Sequence, residues 1–186
     1  MSAAIREFLV AAGLEVEGTS LAETPSRVAR TWMDSFLDGY GVDPARIFAR
    51  SYSVPASGSP QGMVFLKAIP FHGLCPHHLL PYYGRAHVAY LPGKKLASLS
   101  SLARLVDCFA HRLEIQETVT RQIAEALPKH LGAAGAAVAL ETDQPCMTMR
   151  RPDRKGTRTI TRHFTGAFAR KSDLRMEFLK SLESFE

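Results

Sequence analysis

Residues 72–87, HGLCPHHLLPYYGRAH, hold Cys75 together with His72, His77, His78 and His87, so four of the chain's 7 histidines fall within sixteen positions. Cysteine thiolate and histidine imidazole are the ligands zinc takes in tetrahedral sites. Structural sites use four protein ligands, and catalytic sites use three and keep a position for water. Cys75 and His78 form a Cys-x2-His pair, and Pro76 between them favours a turn that converges both on one ion. Cys108 falls in the middle of a helical pattern near its apolar face and is expected to serve core packing. Cys146, in DQPCMTMR just after a strand pattern, is the better third ligand. A Cys/His/Cys set with no obvious fourth member points to an open, catalytic zinc, which makes hydroxide available at neutral pH by lowering the pKa of its water to about 7. The plain alternative is a chance cluster on a surface loop.

The rest of the chain must position these groups. With 186 residues, 46% hydrophobic and 22% charged, it is expected to fold as a single domain, residues 1–186. No run of about 18 apolar residues exists that would span a membrane. MSAAIREFLVAAGLEVEG at the N-terminus is an amphipathic helix pattern rather than a signal peptide. Three cysteines, an odd number, argue for reduced thiols and a cytoplasmic protein. A net charge of +5 suits nucleic acid or small anions as partners. From Arg150 to Lys171 eight basic residues face one acid, Asp153. A solvated basic face accounts for this equally well, and no helix-turn-helix or aromatic RNA motif accompanies it, so nucleic acid is disfavoured.

Periodicity predicts a helix over 3–13 and a second that starts with Thr24 as N-cap and Pro25 as first residue, ending at Gly39 and Gly41. Together these make an N-terminal helical part, 1–50. Residues 56–62 form a turn-rich connector, and 63–69 and 85–91 are strands on either side of the histidine-rich segment. Helices follow over 102–113 and 115–127, stopped by Gly132 and Gly135. Strands are expected at 136–142 and 157–168, and a last helix begins near Asp173, within a C-terminal part at 172–186. On the last strand His163 could line the pocket or face solvent, and solvent is the favoured expectation. This order suggests an α+β fold, an antiparallel sheet with a helix pair on one face, its core at 60–170.

LCPHHLLPYYGRAHVAYLP resembles the zinc and catalytic segment of the GTP cyclohydrolase I family, whose pattern is Cys-Glu-His-His, a short apolar stretch, Gly, and a strand ending Tyr-Leu/Ile-Pro. SLSSLARLVDCFAHRLEIQETVTRQIAEAL is similar to the family's helix pair, and CMTMR with GTRTITRHFTGAF to its second zinc segment and closing strand. LAETPSRVARTW resembles its N-terminal Thr-Pro-x-Arg helix. The resemblance implies a tunnelling fold, assembled as homo-oligomeric rings with active sites between subunits. It implies zinc on Cys75, His78 and Cys146, with His77 as the catalytic histidine beside them. Gln116 and Glu117 match positions that hold the edge of the purine. Arg27, Arg104 and Arg150 match positions that bind the triphosphate, and Ser100 is placed with them as substrate-binding. The implied reaction is zinc-dependent hydrolysis of GTP to 7,8-dihydroneopterin triphosphate and formate.

Three residues depart from the family pattern. Gln144 stands where family members have a histidine, two residues before the second zinc cysteine; Pro76 replaces the Glu of Cys-Glu-His-His; Ser101 replaces a frequent lysine. An amide exchanges no proton near pH 7, so Gln144 at this catalytic position can orient a group but cannot act as acid or base. A divergent member that hydrolyses another purine, or stops at the ring-opened formamidopyrimidine, is the alternative. A non-catalytic zinc protein that binds nucleic acid is a third.

Overall fold

The computed structural model describes residues 1–54 and 62–183, so the connector expected at 56–62 lies outside the described residues except for Gly62. Helices α1 (Ser2–Ala11) and α2 (Thr24–Ser35) lead, followed by a 3-10 turn at Asp38–Gly41 and the short α3 (Pro44–Ile47). Then come β1 (Tyr52–Ser53), the long strands β2 (Val64–Leu74) and β3 (Pro81–Leu91), and β4 (Lys95–Leu96). The helix pair is α4 (Leu99–Ala110) and α5 (Gln116–Ala126). A π turn continues α5 to Leu131 and ends on Gly132, whose left-handed φ of 75° suits glycine. Strand β5 (Gly135–Asp143), α6 (Pro145–Thr148), β6 (Thr159–Phe164), α7 (Gly166–Arg170) and α8 (Ser172–Glu183) complete the order.

Several boundaries differ from the sequence pattern, and β2 and β3 run into the histidine-rich segment, to Leu74 rather than 69 and from Pro81 rather than 85. Glu23, not Thr24, occupies the N-cap of α2, because a backbone turn from Leu21 O to Thr24 N–H already leads into the helix without a side-chain cap. The last strand stops at Phe164 rather than running to 168. Gly166, at φ 54°, turns the chain into α7 so close to Ala134 O that a Cβ would stand 2.3 Å from it.

Four strands in the order β2-β3-β5-β6 form an antiparallel sheet, and β1 pairs with β4 in a separate ribbon. One sheet face meets α4 and α5. Ala86, Val88 and Tyr90 of β3 and Ala136, Val138 and Leu140 of β5 pack there with Leu102, Leu105, Val106, Val119 and Ile123. Each large side chain buried this way contributes about 1.5–3 kcal/mol. The helices are not confined to that face: Phe168 of α7 and Phe178 of α8 bury against Ala89, Ala137 and Ala139 on the other.

Strand β2 would present its apolar residues to both faces but for a bulge. Leu66 pairs with Val88 and Ile69 with Ala86, so Lys67 and Ala68 together oppose His87. The extra residue shifts the parity, and Val64, Leu66, Ile69 and Phe71 all face the helix pair. Ala68 takes a left-handed φ of 61°, and its N–H donates to His87 Nδ1 at 3.4 Å.

Burial, then the neighbouring Lys67, holds His87 below the ordinary 6.5. In the unfolded chain this imidazole takes up a proton near 6.5 that the folded state refuses. Its contribution to stability is therefore present above that value and is lost as pH falls from 6.5 towards the folded pKa. The urea midpoint of the natural chain is expected to fall more between pH 7.5 and pH 5.5 than that of His87→Gln; equal declines would remove His87 from the acid response.

Candidate metal centre

The turn from β2 to β3 is closed by its own backbone. Cys75 N–H donates to Leu80 O, Leu79 N–H donates to Cys75 O, both at 2.9 Å, and Leu79 is left-handed at φ 54°. This holds Cys75, which is buried, and His78, which is exposed, on one short loop. Next to it, β3 pairs Gly84 with Thr142 and Tyr83 with Asp143, which brings the end of β5 alongside the turn. The chain then passes Gln144, whose carbonyl accepts the N–H groups of Met147 and Thr148, into the single turn α6 carrying Cys146.

The ligand atoms of Cys75, His78 and Cys146 all lie within 4.8 Å of one another, with Cys75 Sγ 3.9 Å from His78 Nδ1. Tetrahedral zinc, with bonds of about 2.0–2.3 Å, holds its donors about 3.3–3.8 Å apart, a spacing these three residues reach with shifts of about 1 Å or less, so they fit such an ion. Burial, then the adjacent Cys75, pushes the Cys146 thiol up, with Arg150 opposing. A thiol whose ionisation is opposed by burial and by a neighbouring sulfur is one that a bound cation would relieve. Cys108 stands elsewhere, buried on α4 with Sγ donating to Val42 O at 3.6 Å and the Arg112 guanidinium 3.4 Å away. It is a packing residue.

A cavity of about 230 Å³ opens beside the cluster, and Cys75, His77, Tyr82, Gln116, Glu117 and Gln144 are among its walls. His77 is exposed, its ring edge-on to that of His78 at 6.2 Å. Arg150 donates through Nε to Cys146 O at 2.7 Å and through a terminal nitrogen to His78 Nε2 at 3.3 Å. Gln116 is buried, and every polar atom of its amide is engaged. Oε1 accepts from Thr142 and Gln144, and Nε2 donates to Leu140 O, Thr159 O and Thr161 Oγ1. Arg27 on α2, and Ser100 and Arg104 on α4, are exposed and are not among the residues lining this cavity. Ser101 is turned inward, donating to Ile47 O at 3.2 Å.

His163 does not simply face solvent. It is half-buried and lines a groove of about 370 Å³ between α5 and β6 with Glu117 and Thr161, because the strand leans against α5 there. His72 and His87 stay outside the cluster; His72 Nε2 donates to Ser35 O at 2.8 Å and its ring lies on that of His111.

Tyr82 was not singled out by the sequence, where it is one of two adjacent tyrosines with nothing to mark it. Among the described residues its hydroxyl is buried without a partner, and burial, reinforced by Cys75, raises its phenol far above the ordinary range. Removing an unpaired buried hydroxyl lifts a desolvation cost of about 1 kcal/mol. Tyr82→Phe is therefore expected to raise the thermal midpoint, and a lower one would reveal a hydrogen bond the hydroxyl makes in solution.

The family model of GTP cyclohydrolase I matches residues 1–183. The chain belongs to the GTP cyclohydrolase I family. It is 38% identical over 180 residues to GTP cyclohydrolase 1 of Ralstonia nicotianae, covering 97% of this chain and 84% of that one. Against GTP cyclohydrolase 1 of Brucella canis it is 40% identical over 177 residues, covering 95% and 82%. Among solved structures, the archaeosine synthase QueF-Like in its apo form aligns over 59% of this chain and 98% of its own at a TM-score of 0.47 and 16% identity. The sheet backed by a helix pair is the tunnelling fold expected for GTP cyclohydrolase I, and the chain is an enzyme of that type. Among the described residues no helix is long and apolar enough to cross a membrane.

Proposed function

We propose that this GTP cyclohydrolase I homologue is a cytoplasmic, zinc-dependent hydrolase that opens the imidazole ring of GTP and carries the product on to 7,8-dihydroneopterin triphosphate and formate. One observation carries this reading: two of the three metal donors, Cys75 and Cys146, line the same cavity as the Glu117 carboxylate. Guanine offers N1–H and an amino group side by side, two donors that a carboxylate accepts together. A zinc ion on Cys75, His78 and Cys146 would supply Lewis acidity and an acidified water. His77, exposed on the cavity wall, takes and returns protons during the hydrolysis. Arg150, beside the donors, offers a guanidinium to a phosphate oxygen.

The site is completed, in this reading, by neighbouring copies in a homo-oligomeric ring. Among the described residues strands β2 and β6 are the two edges of the sheet, which another copy can extend. Helices α1 and α2 expose Phe8, Val10 and Met33, apolar surface that assembly would cover. Arg27, Ser100 and Arg104, exposed and outside their own chain's cavity, would then serve a neighbour's site.

Gln144 favours a second reading, in which the reaction stops at the ring-opened formamidopyrimidine. Its amide is committed to Gln116 and Thr142 and cannot relay protons. Incubating the zinc-loaded protein with GTP separates the two. Fluorescent pterin after oxidation supports the full reaction, and loss of GTP without pterin supports the arrested one. Intact GTP contradicts both and turns the search to other purines.

A further inference from the structure

Gln144, Gln116 and Thr142 form a closed ring of three hydrogen bonds. Gln144 Nε2 donates to Gln116 Oε1 at 2.9 Å and to Thr142 Oγ1 at 3.0 Å, and Thr142 Oγ1 donates to Gln116 Oε1 at 2.5 Å. The two acceptors of Gln144 Nε2 are only 2.5 Å apart, so one amide N–H is shared between them, while the hydroxyl hydrogen of Thr142 goes to Gln116 Oε1. The remaining end of Gln116 is tied to β5 and β6 through Leu140 O, Thr159 O and Thr161 Oγ1, and Thr161 in turn meets Thr120 Oγ1 at 2.6 Å. Gln116 is the first residue of α5, and Glu117, the exposed carboxylate of the cavity, is the second. The start of α5 is thus fastened to the sheet by one buried amide, and its link to the Cys146 segment is Gln144.

We propose that Gln144 is a positioning residue that selects the base: by holding Gln116 it fixes the first turn of α5, and so sets where Glu117 meets the ligand. The proposal rests on the reading of Glu117 as the group that meets the purine edge. Because the Gln116 amide is fully engaged, discrimination falls to Glu117, and its placement depends on a clamp that needs an N–H donor from position 144. A histidine there offers its N–H to the pair only in the tautomer whose facing nitrogen carries the hydrogen, so it holds the clamp in one tautomer and releases it in the other. Glutamate, nearly the same shape, presents oxygen to the Gln116 oxygen and breaks the ring by repulsion. In this chain position 144 therefore serves recognition through Gln116 and moves no proton.

The test is Gln144→Glu, with Gln144→His beside it, read in two ways. Hydrogen exchange at the amides of Val119 and Thr120 reports the clamp without any substrate, and is expected to speed up on the order of tenfold for the loss of such a buried hydrogen bond. The preference for GTP over ITP, as the ratio of kcat/KM values, is expected to fall on the order of tenfold in Gln144→Glu and by less in Gln144→His, since ITP lacks the amino group the carboxylate accepts. Zinc content is expected to stay equal in all three proteins. Unchanged exchange overturns the proposal whatever the substrate. Faster exchange with an unchanged ratio overturns the link to base selection. A natural chain with no preference for GTP over ITP contradicts the purine reading of Glu117 and overturns base selection with it, while exchange still reports the clamp.

Discussion

Replacing Cys146 by alanine is expected to strip the chain of zinc and to lower GTP turnover by roughly a thousandfold or more, because two protein ligands do not retain a catalytic zinc. The three donor atoms lie within 4.8 Å of one another and come from two separate segments, so the loss of one leaves only the Cys75 and His78 loop. Cys108→Ala is the matched control. That thiol is buried in the helix-packed core, and its removal is expected to cost about 1 kcal/mol of stability and no metal. Zinc per chain, measured after gel filtration, distinguishes the two. Loss of metal from Cys108→Ala, or its retention by Cys146→Ala, would mean that the ligand set is misassigned.

Gly84→Ala is expected to do the greatest damage to the fold. An added Cβ would stand 1.9 Å from Glu141 O and 2.7 Å from Thr142 Cα, both backbone atoms of the neighbouring strand. No rotamer change relieves such a clash, so β3 and β5 must move apart at the end where β5 delivers Thr142, Gln144 and Cys146. Overpacking against immovable backbone costs about 3 kcal/mol or more. Urea unfolding is expected to show that loss, together with weakened zinc retention as the two ligand segments separate. A variant within 1 kcal/mol of the natural chain would show that the strand pairing is looser than this geometry requires.

How far the sequence reveals the site differs from residue to residue, and the physical reason can be given. Cys146 and Cys108 separate cleanly because helical periodicity assigns one to an apolar face, while the other follows a strand in a turn. The histidines divide in the same way once Pro76 is seen to mark a turn. The role of Gln116 was not legible: its five hydrogen-bond partners come from β5, β6 and Gln144, residues brought together only by strand order. The bulge at Lys67 and Ala68 carried no glycine to announce it, although it sets which residues of β2 reach the core. Of the two placements open to His163, the structure gives the groove-lining one, because alternation gives the side of a strand but says nothing of a helix leaning over that side. The long helices were legible and the short α3, α6 and α7 were not, and helix ends were less clear, since a backbone turn replaced the side-chain cap expected at Thr24.

The departures from the family pattern also become physical statements. Ser101 is spent inside the fold, on Ile47 O and Ser98, so it contributes no donor to a phosphate. Gln144 is spent on Gln116 and Thr142. The cations left near the metal donors are Arg150 and its neighbours Arg151 and Arg154, which line a second groove with His78 and Cys146.

The most direct measurement is GTP consumption by the purified protein before and after removal of zinc with a chelator and after its return. The account predicts that GTP disappears with zinc present, that it persists once the metal is stripped, and that zinc restores the rate. Consumption that survives complete removal of the metal, or intact GTP with one zinc bound per chain, would contradict it.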